Sequence, residues 1–182
     1  MLTHEAQQLL LWCVQAFMPQ HGAPLEEGKM NSVRPSQWLE DEHRRIDEAV
    51  EAMVDGTGQA PALAASLALL RHHIYVEHEI LFPPMTKAGF VMPVLVMKRE
   101  HAKMWPLIDS LASACQRGVA PETLRGSCGE LLRLLQSHNP KEEQILYTAA
   151  DRLDAEGDHG WLTKALQAAR MPDGWTCPPA AI

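Results

Sequence analysis

The chain has 182 residues, 46% hydrophobic and 21% charged, which is enough for one domain whose core needs neither disulfide nor metal staples. Its 16 Lys and Arg against 23 Asp and Glu give a net charge of −7, and without a basic cluster nucleic acid is not an expected partner. No apolar run reaches the ~18 residues that span a bilayer, so a membrane is not expected either.

Four cysteines (Cys13, Cys115, Cys128, Cys177) lack any Cys-x-x-Cys spacing, which argues against a zinc ribbon and a disulfide framework. Free thiols and the lack of an export signal point to a cytoplasmic protein. The unusual number is nine histidines.

Residues 1–34 read as an N-terminal extension. An apolar helix over 3–18 is stopped by Pro19 and followed by the turn-rich His21-Gly22-Ala23-Pro24. That helix either packs on its own domain or docks a second copy as a homodimer. Four long helical segments follow within 35–157. The first spans 36–55 and ends at Asp55-Gly56-Thr57-Gly58. The second spans 61–86 from Pro61, and the third spans 90–117 and ends at Gly118. The fourth spans 121–155, with Pro121 at its start and Gly157 past its end. Residues 158–182 hold one short helix and a Pro-rich tail. No strand alternation occurs. Long helices joined by short loops predict an all-α, up-down-up-down antiparallel four-helix bundle with extra N-terminal and C-terminal helices.

Each long helix carries a stripe at three- and four-residue spacing. The first reads Leu39, His43, Ile46, Val50, Met53, and the second Leu63, Leu67, Leu70, His73, Glu77, Leu81. The third reads Val94, Met97, His101, Met104, Ile108, Leu111, Cys115, and the fourth Leu124, Leu131, Leu135, His138, Glu142, Ile145, Ala149. Every stripe is interrupted once, always by a histidine, and in two helices a glutamate follows at i+4. Counted from the shared loops, neighbouring histidines lie about equally far along their helices, at roughly 1.5 Å per residue. All four therefore fall in one layer.

A lone histidine on an apolar face is usually a satisfied core residue. Four at one height, with two carboxylates too costly to bury uncompensated, call for a cation. Nitrogen and oxygen donors without thiolate suit iron, manganese or zinc. Six ligands exceed a closed zinc site, and two glutamates able to bridge favour a dinuclear centre, with iron preferred because open positions remain. The candidate ligands are His43, His73, Glu77, His101, His138 and Glu142, walled by Ile46, Met97, Met104 and Ile145. Asp47, at i+4 from His43, repeats the His-x-x-x-carboxylate pattern; it is either a third carboxylate ligand or, the favoured reading, a support of the site or the partner of a base. His72 and His78 flank the second-helix ligands but lie off the stripe, which suits a surface place or support of a ligand rather than ligation, and His4, His21 and His159 lie outside the bundle as surface residues. Pro106 and Pro140 each remove a helical hydrogen bond. A bulge at Pro140 would bring in Glu143, whereas regular i+4 spacing favours Glu142.

His73-x-x-x-Glu77 followed by Leu81-Phe82-Pro83, and His138-x-x-x-Glu142-Glu143 followed by Leu146-Tyr147, resemble the paired motifs of the hemerythrin-like, or HHE cation-binding, domain. Asp41-Glu42-His43-Arg44 and Glu100-His101 resemble its first- and third-helix motifs, so the resemblance covers about residues 36–155. It implies a non-heme di-iron cofactor of two iron ions. His43 and His73 would hold one, His101 and His138 the other, with Glu77 and Glu142 bridging and an oxo or hydroxo group completing the bridge. The oxygen-carrying branch has a further third-helix histidine where this chain has Trp105, and an aspartate at i+5 where it has Glu142 at i+4. That difference leaves the second ion more open.

The resemblance implies a protein that binds or reacts with a small diatomic or peroxidic ligand (oxygen, nitric oxide or peroxide) in sensing or stress response. Two further readings remain at this point. One is iron storage or donation, including iron–sulfur cluster repair, and the other is an interaction module with a structural metal.

Overall fold

In the computed structural model, the described residues are 33–157 and 160–179. They belong to one compact unit that begins at Val33. The helix expected over 3–18 lies outside them, as do His4, His21 and His159. The described residues are all-helical, without a strand.

Helix α1 spans Pro35–Asp55. Pro35 opens it, where a missing N–H costs nothing. Gly56 closes it at φ 82°, with its N–H returned to the carbonyls of Ala52 and Met53. A Cβ at Gly56 would meet only the mobile Arg125 guanidinium, so it is the positive φ that favours glycine there. The second long helix is continuous but not uniform: α2 (Ala60–Val76) passes into a π-helical segment, π1 (Glu77–Leu81), and then into α3 (Phe82–Lys87). Helix α4 spans Val91–Gln116 and runs on through Pro106. The last long helix repeats the pattern of the second: α5 (Pro121–Lys141), π2 (Glu142–Tyr147) and α6 (Thr148–Glu156). Helix α7 (Trp161–Ala168) precedes the C-terminal tail. None of the described helices is long and apolar enough to cross a membrane.

The main packing runs around a ring: α1 on α2, α2 on α4, α4 on α5, and α5 back on α1. Two apolar clusters fill the interior. One holds Ile46, Leu70, Met104, Ile108 and Leu135, and the other Leu39, Val76, Leu81, Met97 and Leu146. His43 lies between Leu39 and Ile46, His73 between Leu70 and Val76, and His101 between Met97 and Met104. His138 and Glu142 lie between Leu135 and Leu146. The histidine layer is thus a polar seam between two dry compartments.

One expected wall residue does not serve as one. Ile145 is 45% exposed, because π2 widens the helical turn and moves the residues after Glu142 out of α-helical phase. Leu146 and Tyr147 take the inward positions, both at 0% exposure.

Helix α6 also supplies caps to two other helices. Asp151 accepts from the Ser36 backbone N–H at 2.9 Å and from its hydroxyl at 2.8 Å at the start of α1. Asp154 accepts from the Leu162 N–H at 2.7 Å and the Thr163 hydroxyl at 3.2 Å, at the start of α7. Gly160, at the N-cap of α7, has no side chain to do this itself. Asp154→Ala is expected to cost about 1–2 kcal/mol in urea unfolding. The amides of residues 161–168 should then exchange fastest among the helices. Unchanged protection there would show that α7 is held by its apolar contacts alone.

Candidate metal centre

The six stripe residues converge. His43, His73, Glu77, His101, His138 and Glu142 are all buried, and both glutamates are at 0% exposure. The rings of His43 and His73 lie 4.7 Å apart between centroids, as do those of His101 and His138. Donor atoms of His43, His73 and Glu142 fall within 4.8 Å of one another, and so do those of His101, His138 and Glu142. Glu142 is common to both groups.

The carboxylates reach both pairs. Glu77 places Oε1 at 3.5 Å from His73 Nε2 and Oε2 at 3.4 Å from His101 Nε2. Glu142 places Oε2 at 3.5 Å from His43 Nε2 and 3.1 Å from His138 Nε2, and Oε1 at 3.6 Å from His101 Nε2. Glu77 Oε2 and Glu142 Oε1 have no hydrogen-bond partner although both are buried. Two anionic oxygens without a donor, set against imidazole nitrogens, are what a cation would satisfy.

Each imidazole is oriented from behind by the neighbouring helix. His73 Nδ1 donates to Glu42 Oε2 of α1 at 2.9 Å. His138 Nδ1 donates to Glu100 Oε2 of α4 at 2.8 Å, and His43 Nδ1 to Glu143 Oε1 of π2 at 2.9 Å. A carboxylate accepts here, so Nδ1 carries a proton in each ring and Nε2 is the nitrogen turned inward, able to bind a cation once any proton on it is lost. His101 Nδ1 has a different partner, His78 Nε2 of π1, at 3.1 Å. Burial, with the charge of Lys98 added, lowers the His78 pKa to about 4, so this partner is neutral. Around the ring, the first helix orients the histidine of the second, the second that of the third, the third that of the fourth, and the fourth that of the first.

Sequence reasoning missed Glu42, Glu100 and Tyr147 as parts of the site, whereas His78, expected off the stripe at the surface or in support of a ligand, takes the supporting place. Three of these four adjoin a candidate ligand in sequence: Glu42-His43, Glu77-His78 and Glu100-His101. The adjacency was visible, but each serves a histidine on another helix, which one sequence does not show. Glu143 lies outside the inner set, at His43 Nδ1, and Glu142 occupies the interior. Asp47 is not among the converging donors; its Oδ2 accepts from Asn139 Nδ2 at 3.1 Å. His72 Nε2 faces the Ala169 carbonyl at 3.4 Å. Trp105 is buried against the tail, edge-on to Trp175 at 5.4 Å, with the Arg71 guanidinium 5.2 Å from its ring centroid.

Tyr147 was concealed by the π turn. With i→i+5 hydrogen bonding, residue 147 comes to the same face as Glu142. In the second helix the same step takes Glu77 to Phe82, whose ring stacks on His101 at 5.9 Å. The two helices thus share a spacing of four then five: His73, Glu77, Phe82 and His138, Glu142, Tyr147.

Protons in the metal-free chain follow this geometry. Burial opposes charging His138, but Glu142 and Glu100 prevail and raise its pKa to about 10. Burial likewise opposes charge on His43 and His73, yet adjoining carboxylates raise both. Burial, reinforced by the positive His138, holds His101 well below its ordinary value. Burial alone would raise Glu142, but the surrounding histidines pull it well below the usual carboxylate range.

Residues 34–150 match the hemerythrin HHE cation binding domain. The match spans more than half of the chain, and the chain belongs to that family. No curated protein and no solved structure matches it. The His/Glu clusters fit the cation site that the family name describes.

A cation entering this centre must displace the protons on His43, His73 and His138, so its affinity should fall on acidification. Titration calorimetry in buffers of different ionisation enthalpy is expected to register net proton release. In the metal-free chain, the stability that His138 contributes is fully present below its unfolded pKa of about 6.5 and lost as pH rises through about 10. A melting temperature that is flat across that window would contradict this.

Proposed function

We propose that this chain is a di-iron protein whose metal pair meets a small ligand such as oxygen, nitric oxide or a peroxide. The observation that carries this reading is Glu142, buried and shared by two histidine pairs, with Glu77 alongside it in the same bridging attitude. His43 and His73 would hold one ion, His101 and His138 the other, and Glu77 and Glu142 both. We further read the helices as an up-down-up-down bundle. The alternating order in which successive long helices pass through the two apolar clusters supports it.

When bound, iron would supply electron exchange with the ligand. The chain's own residues do the rest. The Nδ1 partners fix the imidazole planes and keep the Nε2 lone pairs directed inward. Ile46, Met97, Met104 and Leu146 exclude bulk water from the seam. A cavity of about 100 Å³, lined by Glu100, Lys103, Met104, Leu134, Ser137 and His138, opens beside the second pair. Cytoplasmic localisation and a homodimer through the helix expected over 3–18 complete the reading.

Elemental analysis of protein prepared anaerobically with iron is expected to give two irons per chain, with an absorption change on exposure to air. His73→Ala and Glu142→Ala should each lose iron. Glu143→Gln, which touches only the outer nitrogen of His43, should weaken binding by about 10–100-fold instead. Full iron occupancy in both alanine variants would overturn the ligand set.

A further inference from the structure

Tyr147 is one of two tyrosines in the chain, and it is fully buried. Its hydroxyl oxygen lies 3.0 Å from His43 Nε2, 3.1 Å from His73 Nε2, 2.7 Å from Glu77 Oε1 and 3.2 Å from Glu142 Oε2. These are the inward atoms of both histidines of the first pair and one oxygen from each candidate bridge. A phenol has one proton to donate. Here it faces two carboxylate oxygens and the inward nitrogens of two imidazoles whose outer nitrogens are held by Glu143 and Glu42. Five donor atoms thus meet around one buried point, and a cation there would engage all of them once the phenol and imidazole protons were displaced.

The spacing points the same way. In an octahedral centre with bonds of about 2.1 Å, adjacent donor atoms lie about 3.0 Å apart. The phenol oxygen keeps close to that separation from all four atoms at once, as a vertex adjacent to four others would. The second pair has no counterpart, because the equivalent position after Glu77 is Phe82, whose ring carries no donor.

We infer that Tyr147 is a metal ligand, completing a five-donor set for the ion held by His43 and His73 and leaving the ion of His101 and His138 with four. On loading, the phenol O–H bond breaks, the oxygen bonds to the metal, and the proton passes to solvent. No electron is transferred in this step. The inference rests on the metal-binding reading above and goes beyond it by making the two ions chemically unequal.

The test is visible absorption and resonance Raman spectroscopy of protein loaded with ferrous iron and oxidised in air, with iron measured on the same sample. The expected result is a phenolate-to-iron charge-transfer band that enhances tyrosine ring modes. The band should be lost per iron bound in Tyr147→Phe and kept in Tyr75→Phe, whose ring lies against Trp175. Ring-deuterated tyrosine should shift those modes in Tyr75→Phe, where Tyr147 is the one tyrosine left, which decides the matter even if Tyr147→Phe folds poorly. Iron bound without tyrosine modes, or modes that persist in Tyr147→Phe, would overturn the inference while leaving the metal site standing. No iron bound by the unsubstituted protein would overturn the metal-binding reading and this inference with it.

Discussion

The structure depends on two carboxylates, Glu77 and Glu142, held without solvent in the middle of a helical core. Buried carboxylates of this kind cost several kcal/mol each unless compensated. The compensation is four imidazoles, and their orientation comes from groups on the helices beside them. In the metal-free chain protonated histidines balance the charge, and a cation would do so more completely. The two apolar clusters above and below the seam keep water from solvating the carboxylates instead.

Much of this was legible in the sequence, because the helical repeat is a rigid ruler. Leu39, His43 and Ile46, read against Leu70, His73 and Glu77, place a polar group at one height in successive helices. The loops at Gly56 and Gly118 supply the zero of each scale. The ruler failed where its period changed. Five residues after Glu142 an α-helix would have rotated Tyr147 away, and three residues after it Ile145 would have pointed inward. The π turn reverses both assignments. Pro140, immediately upstream, removes a backbone donor, and that was the one local sign of irregular pitch in the fourth helix. In the second helix the nearest prolines, Pro83 and Pro84, follow the π turn instead of preceding it, and nothing in the apolar pattern before it signals the change.

The outer partners were illegible for another reason. A helix wheel shows which residues share a face, but not which neighbouring helix that face meets. Glu42 and Glu100 stand beside His43 and His101 in sequence, yet orient His73 and His138 in space. The ring also has one unlike member. Three imidazoles donate to carboxylates and His101 meets the neutral His78, so the second pair is backed by less negative charge than the first. Edge contacts from Trp175 to His78 and Trp105, at 5.9 and 5.4 Å, bring the C-terminal tail to the same corner.

The closed ring of outer contacts has a consequence for the order of synthesis. His43 is the first of the four imidazoles to be made, and the carboxylate that orients it, Glu143, comes 100 residues later. Until that residue emerges, His43 has no fixed direction, and neither histidine pair can be closed by Glu142. The four-helix arrangement of the imidazoles therefore requires the fourth long helix, and the seam is organised only once that helix has been made. The direction of the first ring is thus set by the last of the long helices.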